Sequence, residues 1–97
     1  MVNHIYEFDS KKDISKEADK VYRGLCSLVS QGMRRDIWKS NNPGNLPENP
    51  RGERVLKDGD MFTTYINIQY DLRKPGRMEI SSDLFTLDDI FEVLNVL

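Results

Sequence analysis

One histidine, His4, and one cysteine, Cys26, are the only residues of this 97-residue sequence that offer an imidazole base or a thiol nucleophile. Each would need a partner to react. No serine or cysteine lies near His4 in the sequence, so no local motif supplies a Ser-His or Cys-His pair. Alternation along Val2 to Phe8 makes it a strand residue instead. Cys26 would need nearby positive charge to ionise, and Arg23 is the only basic residue within a turn of it. Its neighbours Leu25 and Val29 mark a core position. Asp58 and Asp60 flank Gly59 in the manner of a hard-cation loop, but such a loop needs several more oxygen ligands in register and a distal glutamate. A two-residue Asp-Gly hairpin turn accounts for both acids. Asp83, Asp88, Asp89 and Glu92 cluster near the end of the sequence, and three of them fall where acids stabilise the start of a helix. No GxGxxG or Walker loop is present to cradle a phosphate. The sequence therefore predicts no catalytic residue, no metal ligand and no cofactor, and a protein that is not an enzyme.

What remains is recognition chemistry. Arg73, Lys74 and Arg77 cluster at a hairpin tip, a shape suited to entering a groove or gripping phosphates. Arg34, Arg35 and Trp38, followed by Lys39, place an aromatic among cations. Asp36 and Asp71 dilute these two groups, and an isoelectric point near 5.3 opposes a dedicated nucleic-acid binder. Tyr65, Asn67 and Gln69, with Thr63, alternate along a strand and form a polar surface of the amphipathic kind that protein interfaces use.

Length and composition limit the rest. Ninety-seven residues suffice for one domain with one core, here expected over 1–97. Hydrophobic residues make up 38% and charged residues 31%, enough apolar material to fold around a thin core. The longest charge-free run of the N-terminal half, Gly24 to Met33, is too short and polar to span a bilayer, and no basic stretch followed by an apolar one opens the sequence. With a single cysteine, no internal disulfide can form, and the expectation is a cytoplasmic protein without a membrane partner. The net charge of −2 hides a split: Lys11 to Lys39 carries eight basic against four acidic residues, whereas Met78 to Leu97 carries five acidic and no basic ones. These segments either form two charged sides or pack together and cancel.

The elements that must position these groups follow from periodicity. Val2 to Phe8 reads as a strand. Asp13 or Ser15 caps a helix whose apolar stripe runs through Ala18, Val21, Tyr22, Leu25, Leu28 and Val29, continuing to about Lys39 with a weak point at Gly32. Residues from about 40 to 52 contain Pro43, Pro47, Pro50, Gly44 and Gly52 and form a long loop. Glu53 to Lys57 is a short strand. Asp60 to Leu72 alternates as one long strand, with Phe62, Thr64, Ile66, Ile68, Tyr70 and Leu72 on the core face. Lys74-Pro75-Gly76 turns the chain into a strand bearing Met78 and Ile80, and Thr86 with Asp89 opens a terminal helix whose stripe is Leu87, Ile90, Phe91, Leu94 and Leu97. The expected fold is α+β, in the order β-α-β-β-β-α: a mostly antiparallel sheet with a long N-terminal and a short C-terminal helix on one face.

The string Asn41-Asn42-Pro43-Gly44-Asn45-Leu46 resembles a short motif of phage-associated muramidase-like proteins. That chemistry requires an acid, and no glutamate on an upstream helix stands where it would be needed, so the activity is not carried over. By elimination the sequence points to a small binding protein acting through protein contact: an inhibitor, an immunity or antitoxin-like protein, or a phage or mobile-element modulator. The alternative is a nucleic-acid-binding module using the Arg73 to Arg77 tip. Homodimerisation through an edge strand is compatible with either.

Overall fold

The computed structural model describes residues 1–41, 55–57, 60–62 and 65–97, which form a small mixed α+β domain. Its strands are β1 (Val2–Glu7), β2 (Val55–Lys57), β3 (Asp60–Phe62), β4 (Asn67–Gln69) and β5 (Arg77–Ser82). They make one sheet in the order β1-β5-β4-β3-β2, antiparallel at every step. The helices are α1 (Ile14–Ser30), α2 (Arg35–Asn41) and α3 (Leu87–Leu94). Among the described residues, no helix is long and apolar enough to cross a membrane.

Helix α1 begins where Asp13 caps it: the carboxylate accepts from the backbone N–H groups of Ser15 at 3.0 Å and Lys16 at 3.3 Å, so two donors of the open first turn are satisfied. The Ser15 hydroxyl also donates to this carboxylate and is the main reason its pKa lies below the ordinary value. Ala18, Val21, Tyr22, Leu25 and Val29 are fully buried along one stripe. The larger members of that stripe contribute about 1.5–3 kcal/mol each by leaving water. Gly24 lies where α1 crosses α3, and a Cβ there would stand 2.5 Å from Val93 Cγ1, so the crossing is closer than any larger residue permits.

The helix does not continue to Lys39. At Gly32 the backbone turns left-handed with φ +104°, the Gly32 N–H donates to Val29 O at 2.9 Å, and the Met33 N–H donates to Leu28 O at 3.0 Å. This pair of bonds is a Schellman C-cap, which satisfies the last carbonyls and redirects the chain. Arg34 follows with φ +50°, and its carbonyl accepts from the Trp38 N–H at 3.1 Å to start α2. Apolar spacing across Met33, Ile37 and Trp38 mimics a continuing stripe because α2 also turns an apolar residue inward: Trp38 is buried while Ile37 is half exposed.

The long alternating strand is also two strands. β3 and β4 pair antiparallel with Met61 opposite Ile68 and Phe62 opposite Asn67. A period of two along the sequence reads the same for one strand as for two paired strands, so alternation alone does not distinguish them. Ile66, Ile68 and Tyr70 are buried as expected, but Leu72 is 69% exposed because it has entered the following turn. The chain order is therefore β-α-α-β-β-β-β-α. The expected Asp58-Gly59 turn and nearly all of the long loop lie outside the described residues, although β2 and β3 on either side of Asp58-Gly59 do pair antiparallel.

β5 lies between β1 and β4, and Met78, Ile80 and Ser82 on it face the helices and are buried. Two details hold its ends. Gly76, with φ +82°, brings its carbonyl to 2.9 Å from the Phe8 N–H, and a Cβ at that position would meet Phe8 O at 2.8 Å. The Ser82 Oγ accepts from the N–H groups of Leu84 at 3.0 Å and Phe85 at 2.9 Å, shaping the buried turn into α3. Thr86 and Asp89 then form the expected capping box: the Asp89 N–H donates to Thr86 Oγ1 and the Thr86 N–H donates to Asp89 Oδ2. The buried side of α3 is Ile90 and Val93, whereas Leu87, Phe91 and Leu97 remain about two-fifths exposed.

Gly76→Ala combines an unfavourable positive φ with a backbone clash and is expected to cost about 2 kcal/mol. Gly32→Ala, where no atom lies within 4 Å of the added Cβ, should cost only the backbone strain. Urea melts of both variants check the ranking. Ser82→Ala strands two buried N–H donors, and a loss of about 1–3 kcal/mol in the same measurement is expected.

Candidate functional site

Among the described residues, helices cover one side of the sheet and no element packs on the other. The register aligns three rows across the open face. Asn3, Ser81 and Asn67 form the first; Ile5, Glu79 and Gln69 the second; Glu7 and Arg77 the third. Asn67, Gln69, Glu7 and Arg77 are exposed, while Ile5, Glu79 and Ser81 are half-buried by their neighbours. The Ser81 hydroxyl donates to Asn3 Oδ1 at 3.3 Å, and Glu7 stands directly across from Arg77.

Beside the second and third rows, at the turn between β4 and β5, lies a shallow cavity of about 280 Å³. Ile5, Gln69, Tyr70, Asp71, Lys74, Arg77, Met78 and Glu79 line it. Two acids and two bases thus stand with an amide around the apolar Ile5, Tyr70 and Met78, a wall of balanced charge rather than a cationic one. Arg73 stands outside this wall, 90% exposed, with its guanidinium on the Asp71 carboxylate at 3.1 and 3.2 Å. That hydrogen bond is the main cause holding the Asp71 carboxyl below its ordinary pKa, and Lys74 adds a smaller attraction.

The structure brings Gln69, Lys74 and Arg77 together in one concavity, with Asn67 alongside and Arg73 at its rim. Ile5, Asp71 and Glu79 complete it, and strand register is what brings Ile5 and Glu79 beside Gln69. The other candidates separate from this face. Trp38, expected among exposed cations, is 1% exposed and packs beside Tyr65 with ring centroids 5.9 Å apart. Tyr65, expected on the polar face, packs against the core, and its hydroxyl donates to Ile37 O at 3.2 Å. Arg34 Nη1 donates to Asp89 Oδ2 at 2.8 Å, so this cation ties the link between α1 and α2 to the α3 capping box. Arg35 is half-buried next to it in sequence. The Arg34 to Trp38 group is therefore a tertiary fastening and not an open patch.

The residues considered for chemistry are equally occupied. His4 meets Phe91 edge to face at 4.9 Å, and Cys26 is buried in α1. Glu17, in the first turn of α1, is 2% exposed and accepts from Lys20 Nζ at 3.3 Å. Burial, and after it the Glu17 charge, raises the Tyr6 phenol pKa above its usual value. Among the described residues, no three of the His, Cys, Asp and Glu side chains assemble as a metal site.

No protein family matches this chain, and no curated protein or solved structure matches it either.

Because Asp89 serves both Arg34 and the Thr86 N–H, Arg34→Ala and Asp89→Ala should couple. A double-mutant cycle read by urea unfolding is expected to give an interaction energy of about 1 kcal/mol or more.

Proposed function

We propose that this chain is a non-enzymatic, cytoplasmic binding protein that occupies a surface of another protein through the open sheet face and the adjoining turn. It would act in the manner of an inhibitor, an immunity or antitoxin-like protein, or a modulator of phage or mobile-element origin. The observation that carries this reading is the convergence of Gln69, Lys74 and Arg77 with Ile5, Asp71 and Glu79 in one shallow concavity. Such a surface combines a small apolar floor with a polar, charged rim, which is the anatomy of protein interfaces.

Balanced charge favours a protein partner over a nucleic acid. A phosphate backbone selects for uncompensated cations, whereas here Arg73 rests on Asp71 and Arg77 lies across from Glu7. A partner protein presenting both signs of charge would match the alternation, gaining orientation more than raw affinity.

Immobilised wild-type protein should retain a stoichiometric partner from its native host, and Gln69→Arg combined with Glu79→Arg should reduce recovery at least tenfold while leaving the unfolding midpoint within about 0.5 kcal/mol. Equal recovery by both forms would reject this face as the binding surface. Retention on DNA or RNA that weakens with salt and with Arg73→Ala plus Arg77→Ala would replace the reading with nucleic-acid binding.

A further inference from the structure

β1 forms one edge of the sheet, with β5 on its inner side. Its pairing to β5 runs through six consecutive residue pairs without a bulge, and the Phe8 N–H extends that register by donating to Gly76 O at 2.9 Å. Antiparallel geometry then directs the peptide groups of Val2, His4 and Tyr6 inward to β5. Those of Asn3, Ile5 and Glu7 point outward along the edge. Exposed edges are ordinarily blunted by lysine, proline or a bulge, and β1 has none of these; its one charge is Glu7. The opposite edge strand, β2, is only three residues long.

A second observation lies beside the first. α3 packs against β1, and Phe91, whose ring touches His4, stays 40% exposed. Leu87, one turn earlier on the same side of the helix, is 41% exposed. The open edge is thus flanked on its helix side by an apolar strip.

We propose that the chain self-associates as a two-fold dimer by antiparallel pairing of β1 with β1 of a second copy, with Ile5 on the axis. The two five-stranded sheets become one continuous sheet, and the exposed strips of the two α3 helices approach across the dyad. Outward-facing residues must meet outward-facing residues, which restricts the centre of the pairing, and a centre at Ile5 uses the whole strand. Asn3 then lies opposite Glu7 of the second copy, where its amide can donate to the carboxylate. His4 lies opposite Tyr6 of the second copy, and Val2 opposite its Phe8. No like charges face each other, so β1 is complementary to itself in charge and in alternation. This inference does not depend on the proposed partner-binding face, and its test uses the purified chain alone.

Sedimentation equilibrium from about 10 to 500 μM, the range suited to a small interface, should show the mass rise from 11.3 kDa toward twice that value. Ile5→Lys opposes two cations on the axis and should weaken dimerisation at least tenfold with an unchanged circular dichroism spectrum. Ile5→Cys should cross-link on mild oxidation, since opposed Cα atoms about 5.5 Å apart suit a disulfide, whereas Gln69→Cys, inside the sheet, should not. A mass fixed at 11.3 kDa throughout, a dimer unaffected by Ile5→Lys, or equal cross-linking of the two cysteine variants would each overturn the proposal.

Discussion

The pairing of β5 with β1 is the constraint on which the rest of the structure depends. It joins the first strand of the chain to the last, and it creates the apolar floor of Met78 and Ile80 on which α1 rests and beside which α3 lies. A strand placed between two neighbours must have both its peptide groups and its faces satisfied at once, so small errors at its ends propagate. Gly76 and Ser82 occupy those ends. One lets the chain pass within hydrogen-bond reach of Phe8, and the other closes a buried turn whose amides would otherwise lack acceptors. Together they set where the open face and the α3 strip come to lie.

Electrostatics is organised by the same packing. The basic N-terminal third and the acidic C-terminal fifth do not simply form two charged sides, because Arg34 reaches Asp89 across the helix layer. That bond is partly buried and shares its carboxylate with the capping box, which makes it more consequential than the exposed pair of Arg23 and Asp19. Around the start of β5, Arg73 rests on Asp71 and Arg77 lies across from Glu7, so these cations stand beside acids. Charges of both signs therefore alternate on this face rather than forming a cationic patch.

Much of the secondary structure was legible from residue type. The cap at Asp13, the box of Thr86 and Asp89, the turn at Gly76 and the apolar stripe of α1 are local devices, and each depends on residues a few positions apart. The break after α1 was visible at Gly32 but not decisive, since helical spacing resumes at Met33. The hairpin of β3 and β4 was hidden by a period that reads the same for one strand as for two. Likewise, Trp38 and Tyr65 carry both an apolar body and a polar tip, so composition alone leaves open whether they face water or the core.

The sequence by itself determined the α+β class and the places where α1 and α3 start. Only the tertiary structure decided which cations are free, which aromatics are buried, and which side chains share the open face. Caps and turns are written by neighbours along the chain. A surface is assembled by strand register and helix crossing, which join residues as far apart as Ile5 and Glu79, or Arg34 and Asp89.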